Sequence, residues 1–138
     1  MMPSMLFRST RGNAPAVTAD LALKAGAAPD GGLYLPESLP GFTSSDFADT
    51  PGLGDLGARL LAPFFAGSPL SDAMADICRD AFDFPAPRVS PDTSDDAPAV
   101  LELFHGPTGA FKDFGARFLF RSFSALGQDA DAPITVLV

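Results

Sequence analysis

The sequence predicts an α/β protein. It reads as a small α+β N-terminal domain over residues 1–95, followed by the first strand–helix–strand of a larger α/β domain over residues 96–138. Three observations predict this. Residues 134–138, Ile-Thr-Val-Leu-Val, form a short unbroken apolar run, the pattern of a strand covered on both faces in a parallel sheet. Ahead of it lie a helix-length apolar stretch at 111–126 and a strand candidate at 99–104. Residues 85–98 hold four prolines and three aspartates, cannot bury much, and read as a connector between the two parts.

Taken in order, residues 5–9 read as a short strand. Thr18 is placed to cap a short helix over 19–25, which Gly26 stops. Pro29, Asp30, Gly31 and Gly32 bring turn chemistry together, and 33–35 reads as a second strand ended by Pro36. Leu53, Leu56, Leu60, Leu61 and Phe64 recur at helical spacing, with Pro63 late enough to bend or end the helix. Ser68-Pro69 reads as a cap with proline at the first helical position; Leu70, Met74, Ile77, Cys78 and Phe82 then give that helix its apolar face. The 111–126 helix is apolar over much of its surface, which predicts that it is buried. Asp113 lies in its first turn at the spacing to pair with Arg117, and Gly127 is its stop. A strand at 134–138 needs neighbours and covering helices that these residues do not supply, so the sequence reads as the N-terminal part of a longer enzyme.

Composition bounds the function. With 46% hydrophobic residues the chain can build a core, while 14 prolines and 13 glycines imply many turns. A net charge of -8 argues against nucleic-acid or anionic-membrane partners, which require a basic face; the acids are scattered and read as a solvated surface. Cys78, the single cysteine, excludes an internal disulfide and suits a reducing compartment. The first residues lack the pattern of a signal peptide, and no apolar run approaches the roughly 20 residues that span a bilayer. A cytoplasmic protein is therefore expected. One histidine and one cysteine are too few for a metal cluster, and neither a Ser/His/Asp arrangement nor a Walker-type phosphate loop is present.

The most informative stretch is Glu102-Leu-Phe-His-Gly-Pro-Thr-Gly-Ala-Phe-Lys-Asp-Phe114. It sets one of only two lysines, Lys112, between a strand-like run and the apolar helix, in a chain with seven arginines. Arginine keeps its proton in a protein, whereas a desolvated lysine can lose it and become a nucleophile. Phe111 and Phe114 flank this amine, and its charge opposes the helix dipole. Without further context an ordinary surface lysine explains the position as well.

The stretch resembles the cofactor-lysine motif of threonine synthases, a family of pyridoxal-phosphate enzymes, departing from it at Gly109, where leucine is commoner. Phe7-Arg-Ser-Thr-Arg-Gly12, Asp30-Gly-Gly-Leu-Tyr-Leu-Pro-Glu37 and Phe82-Asp-Phe-Pro-Ala-Pro87 resemble further segments of that family, so the resemblance spans nearly the whole chain. It implies a fold type II pyridoxal-phosphate enzyme, similar to the tryptophan synthase β-subunit, truncated here after its first strand–helix–strand. It implies conversion of O-phosphohomoserine and water into threonine and phosphate, the last step of threonine biosynthesis. Lys112 would bind the cofactor aldehyde, be displaced by substrate, and then move protons as base and acid. His105, Thr108 and Phe111 would lie at the cofactor; each also has a plain reading, as turn residue, helix cap and core ring respectively. Ser9, Thr10 and Arg11 form a polar cluster that could meet an anionic substrate or simply turn the chain beside a sheet edge. Gly109 loosens the loop beside the lysine. Alternatives are another lyase or dehydratase of the same cofactor fold, and a non-catalytic interaction domain. The isolated 138 residues are expected to be inactive and to associate through their unpaired sheet.

Overall fold

The predicted strand at residues 5–9 forms the centre of a three-stranded antiparallel sheet in a computed structural model, which describes residues 4–90 and 98–127. β1 (Leu6–Ser9) lies between β2 (Val17–Thr18) and β3 (Tyr34–Pro36), with Phe7 opposite both Val17 and Pro36, and Ser9 opposite Tyr34. Pro36 is tolerated because β3 is an edge strand. β2 carries no sequence signal of its own. α1 (Ala19–Ala25) follows it directly; Thr18 has the extended backbone of a cap residue, but its hydroxyl makes no capping bond. The turn at 28–32 is closed by the Gly31 amide on the Ala28 carbonyl (2.8 Å) and the Ala28 amide on the Gly32 carbonyl (2.9 Å).

A 3-10 turn, Ser44–Phe47, opens on a reciprocal cap in which Asp46 Oδ2 accepts from both the Thr43 amide (2.7 Å) and its hydroxyl (2.8 Å). α2 (Leu53–Leu61) then passes into a 3-10 segment, Ala62–Phe65, as Pro63 removes a donor from the helical ladder. α3 (Met74–Ala81) starts later than the Ser68-Pro69 cap predicts. Residues 68–73 are successive i→i+3 turns, Ser71 amide to Ser68 carbonyl (3.0 Å) and Met74 amide to Ser71 carbonyl (3.5 Å), so the α-helical ladder begins only after them. The Ser68 hydroxyl still acts locally, accepting from the Leu70 amide at 3.2 Å.

The core gathers on α3. Leu70, Met74, Ile77 and Cys78 are buried with Ala19 and Phe65, and Phe7, Phe82 and Phe118 pack on them. α2 lies close to α3 because its facing residues are glycines: a Cβ at Gly54 would sit 2.7 Å from the Arg79 Cα, and one at Gly57 2.7 Å from the Phe82 ring. Burial pushes the Cys78 thiol up to about 11, as befits a packing residue.

The second part departs from expectation in three ways. The strand candidate at 99–104 forms only β5 (Val100–Leu101), and it pairs antiparallel with β4 (Arg88–Val89), inside the stretch expected to be a connector. A strand of two residues is all that the turn-rich flanks leave. The predicted strand at 134–138 lies outside the described residues. α4 (Lys112–Ala125) matches the predicted helix within one residue at each end but is not buried all round. Phe120 is 44% exposed, while Asp113 and Ser122 are buried, because among the described residues α4 packs along α3. Phe118 meets Phe65 edge-on and stacks on Phe82; Phe114 meets Phe84 edge-on.

The predicted Asp113–Arg117 pair does not form. Arg117 reaches the C-terminal end of α3, where its Nε donates to the Ala81 carbonyl (2.7 Å) and its Nη2 to the Asp80 carbonyl (2.8 Å) and Asp83 Oδ1 (2.6 Å). The last carbonyls of a helix lack internal partners and carry the negative end of its dipole, so a tertiary guanidinium outcompetes a neighbour one turn away.

Candidate active site at the head of the last helix

Four of the predicted site residues lie on one short stretch. After β5 the chain runs through His105, turns at Gly106–Gly109, where the Gly109 amide donates to the Gly106 carbonyl (3.1 Å), and enters α4. Lys112 is the first residue of α4 and is exposed; among the described residues its amine makes no hydrogen bond or ion pair. Phe111 precedes it and is 69% exposed, so the core-ring reading of this residue fails. Thr108 does not cap α4, whose cap position is Phe111. Its hydroxyl donates to Asp113 Oδ1 (2.9 Å) and its amide to Asp113 Oδ2 (2.9 Å). His105 pairs through Nε2 with Glu102 Oε2 at 2.7 Å and stacks on Phe104, with ring centroids 4.7 Å apart. Gly109, with φ of 70°, has open space where a side chain would be.

Ser9, Thr10 and Arg11 are held elsewhere, against the 28–32 turn. Ser9, buried, donates its hydroxyl to Asp30 Oδ1 (2.6 Å) and accepts from the Arg11 amide (3.1 Å). Thr10 Oγ1 accepts from the Leu33 amide (3.0 Å). Arg11 Nη1 donates to the Asp30 carbonyl (3.0 Å). The Asn13 and Gly32 amides complete the ring of donors around Asp30, each at 2.9 Å. The Ser9 hydroxyl foremost, then the Gly32 and Asn13 amides and the Arg11 charge, hold the Asp30 carboxyl below the ordinary carboxylate range against a smaller opposing effect of burial. The two hydroxyls are thus engaged within the turn, and no hydrogen bond among the described residues joins this cluster to the lysine stretch.

Two members were not singled out from sequence. Glu102 sits three residues before His105, a spacing that carries no signal on a non-helical segment. Asp113 was visible, but its partner was misassigned. An open apolar groove of about 650 Å³ between Phe7, Leu23, Leu35, Phe64 and Phe118 is lined by no charged side chain.

What the arrangement can do is present a primary amine, with an exposed aromatic ring beside it, from a pinned turn at a helix start. Such a donor fits a planar, aldehyde-bearing cofactor: the Lys112 amine would supply the nucleophile, and the Phe111 ring a flat apolar neighbour.

A family model described as the threonine synthase N terminus matches residues 6–82. Threonine synthase of Pseudomonas aeruginosa is 44% identical over 121 residues, covering 85% of this chain and 26% of its own. That of Escherichia coli is 33% identical over 118 residues, covering 84% and 26%. The solved structure of pyridoxal-phosphate-bound threonine synthase from Brucella melitensis superposes with a TM-score of 0.77 at 37% identity, over 89% of this chain and 28% of that one. The Escherichia coli threonine synthase structure gives 0.73 at 31% identity, over 87% and 28%. The chain therefore spans about a quarter of the length of these relatives. Fold and matched stretch define a mixed α/β module of the kind found at the N-terminal end of a larger enzyme. The chain belongs to the threonine synthase family.

Proposed function

We propose that the full-length protein is a cytoplasmic, pyridoxal-phosphate-dependent threonine synthase that converts O-phosphohomoserine and water into threonine and phosphate. The observation that carries this reading is the exposed amine of Lys112, without a partner among the described residues, at the first position of α4 in a chain of this family. Lys112 Nζ anchors the cofactor, and then takes up and returns protons at the substrate carbons as phosphate leaves across the β and γ carbons and water adds at the β carbon. The cofactor, when bound, supplies an electron sink for the carbanions. Phe111 flanks the ring, and His105 and Thr108 line the approach. Of the Ser9, Thr10 and Arg11 group, the Arg11 guanidinium is the part left exposed to meet an anionic substrate. The 138 residues alone form no threonine, since they span about a quarter of the length of active relatives.

The test uses the full-length enzyme. Borohydride reduction with cofactor bound should attach the label to Lys112, and Lys112→Ala should lose both the label and threonine formation, by at least about 10³-fold for a residue in the reacting unit. Label on another side chain would end this reading. Product from threonine but none from O-phosphohomoserine would replace the synthase with a dehydratase.

A further inference from the structure

We infer that Asp113 is a positioning residue for Lys112, an inference that rests on the cofactor role proposed above for that lysine. Asp113 is 5% exposed, although the lysine preceding it is open to solvent. A buried carboxylate requires partners, and both of its oxygens are taken by one residue, through the Thr108 hydroxyl at Oδ1 and the Thr108 amide at Oδ2, each at 2.9 Å. No cation among the described residues pairs with it, since Arg117, one turn on, is committed to the end of α3. Gly106 adds a third constraint. A Cβ there would lie 2.4 Å from Asp113 Oδ2, so the chain passes the carboxylate at a distance that only glycine allows.

These contacts close residues 108–113 into a ring, and Lys112 is inside it. The Asp113 amide on the Ala110 carbonyl (3.1 Å) tightens the ring, and the Gly109 amide on the Gly106 carbonyl (3.1 Å) ties it to the turn before it. A lysine on an open loop spreads its Cα over many backbone states; between pinned neighbours only its four-carbon stem moves. That is the property required of an amine that must swing between cofactor and substrate and return to the same place. Asp113 is buried against Thr108 and Gly106, so its role is exerted through the loop.

The experiment uses the full-length enzyme, first freed of pyridoxal phosphate, with the variants Asp113→Asn, Thr108→Val, both together, and Ser124→Ala. Cofactor is added back, the amine and aldehyde condense with loss of water, and borohydride hydride makes the bond permanent at timed intervals. The rate of labelling at Lys112 is read by peptide mass, beside kcat, KM and the melting temperature. Asp113→Asn and Thr108→Val should each slow labelling and lower kcat by about 10- to 100-fold, the scale of a small misplacement of a reacting group. Ser124→Ala, an exposed change on α4 outside this loop, should stay near the unsubstituted rate. The double variant should be no slower than the slower single one, because the two residues make one contact. Thr108→Val changes an exposed position, which keeps the test open should Asp113→Asn not fold. Folded variants that label at the unsubstituted rate, or losses that multiply in the double variant, would overturn the positioning role alone. No label at Lys112 in the unsubstituted enzyme would overturn the lysine reading and this inference with it.

Discussion

Lys112 stood out from its motif, and the structure puts it at the head of α4 with its amine free among the described residues. Asp113, its neighbour, was assigned to Arg117 by the i, i+4 rule, which ranks pairs within one helix and is blind to partners beyond it. The structure gives each residue a stronger partner, the Thr108 donors for the acid and the α3 carbonyls for the base. Gly106 makes the close passage measurable. Gly106→Ala should push Asp113 off Thr108 and destabilise the protein by about 1–3 kcal/mol, as overpacking does, with a lower urea midpoint as the readout. An unchanged midpoint would show that the loop can shift at no cost. Glu102 and His105, by contrast, could not be paired in advance, because non-helical spacing does not say which side chains converge.

Helices with clear punctuation were legible: Gly26 ends α1, and Pro63 turns α2 into a 3-10 segment. What failed were β2 and β4, two-residue elements too short for any periodicity, the length of β5, and the start of α3, where turns at 68–73 imitate a helix entry. The burial of α4 was overestimated because the sequence shows how apolar a helix is, not how much of it its neighbours cover. Arg117 carries the attachment of α4 to α3, with three bonds and its guanidinium 5.7 Å over the Phe84 ring. Arg117→Ala should cost about 1.5–3 kcal/mol of stability, the scale for hydrogen bonds to a charged group. Arg117→Lys should recover only part of it, since an ammonium cannot span the same three acceptors. Equilibrium denaturation of both variants decides it.

At the scale of the whole molecule, family membership was legible because four motifs cover the chain, whereas the predicted parallel sheet depends on residues 134–138, outside those described. The acid limb of stability also belongs to this scale. Asp30 is held low chiefly by Ser9, and Asp46 chiefly by the Thr43 amide and then its hydroxyl. A carboxylate depressed in the folded state stabilises above its unfolded value, about 3.9, and that contribution drains away as pH falls through the folded value. Stability should therefore be flat through neutrality and drop below about pH 4, and Asp30→Asn or Asp46→Asn should flatten the drop. Urea midpoints taken between pH 7 and 2 would show it; slopes identical to the unsubstituted protein would discount both groups.

α4 has a grip at either end of one short span, Asp113 on the turn behind it and Arg117 on the helix beside it. Lys112 and Arg117 stand only ~7.5 Å apart along the axis. Over that length a helix behaves as a stiff strut, so a tilt of α3 would arrive at the Lys112 backbone almost undiminished. The layer that packs the core thereby also sets where the backbone of Lys112 stands, the base from which the proposed amine would swing.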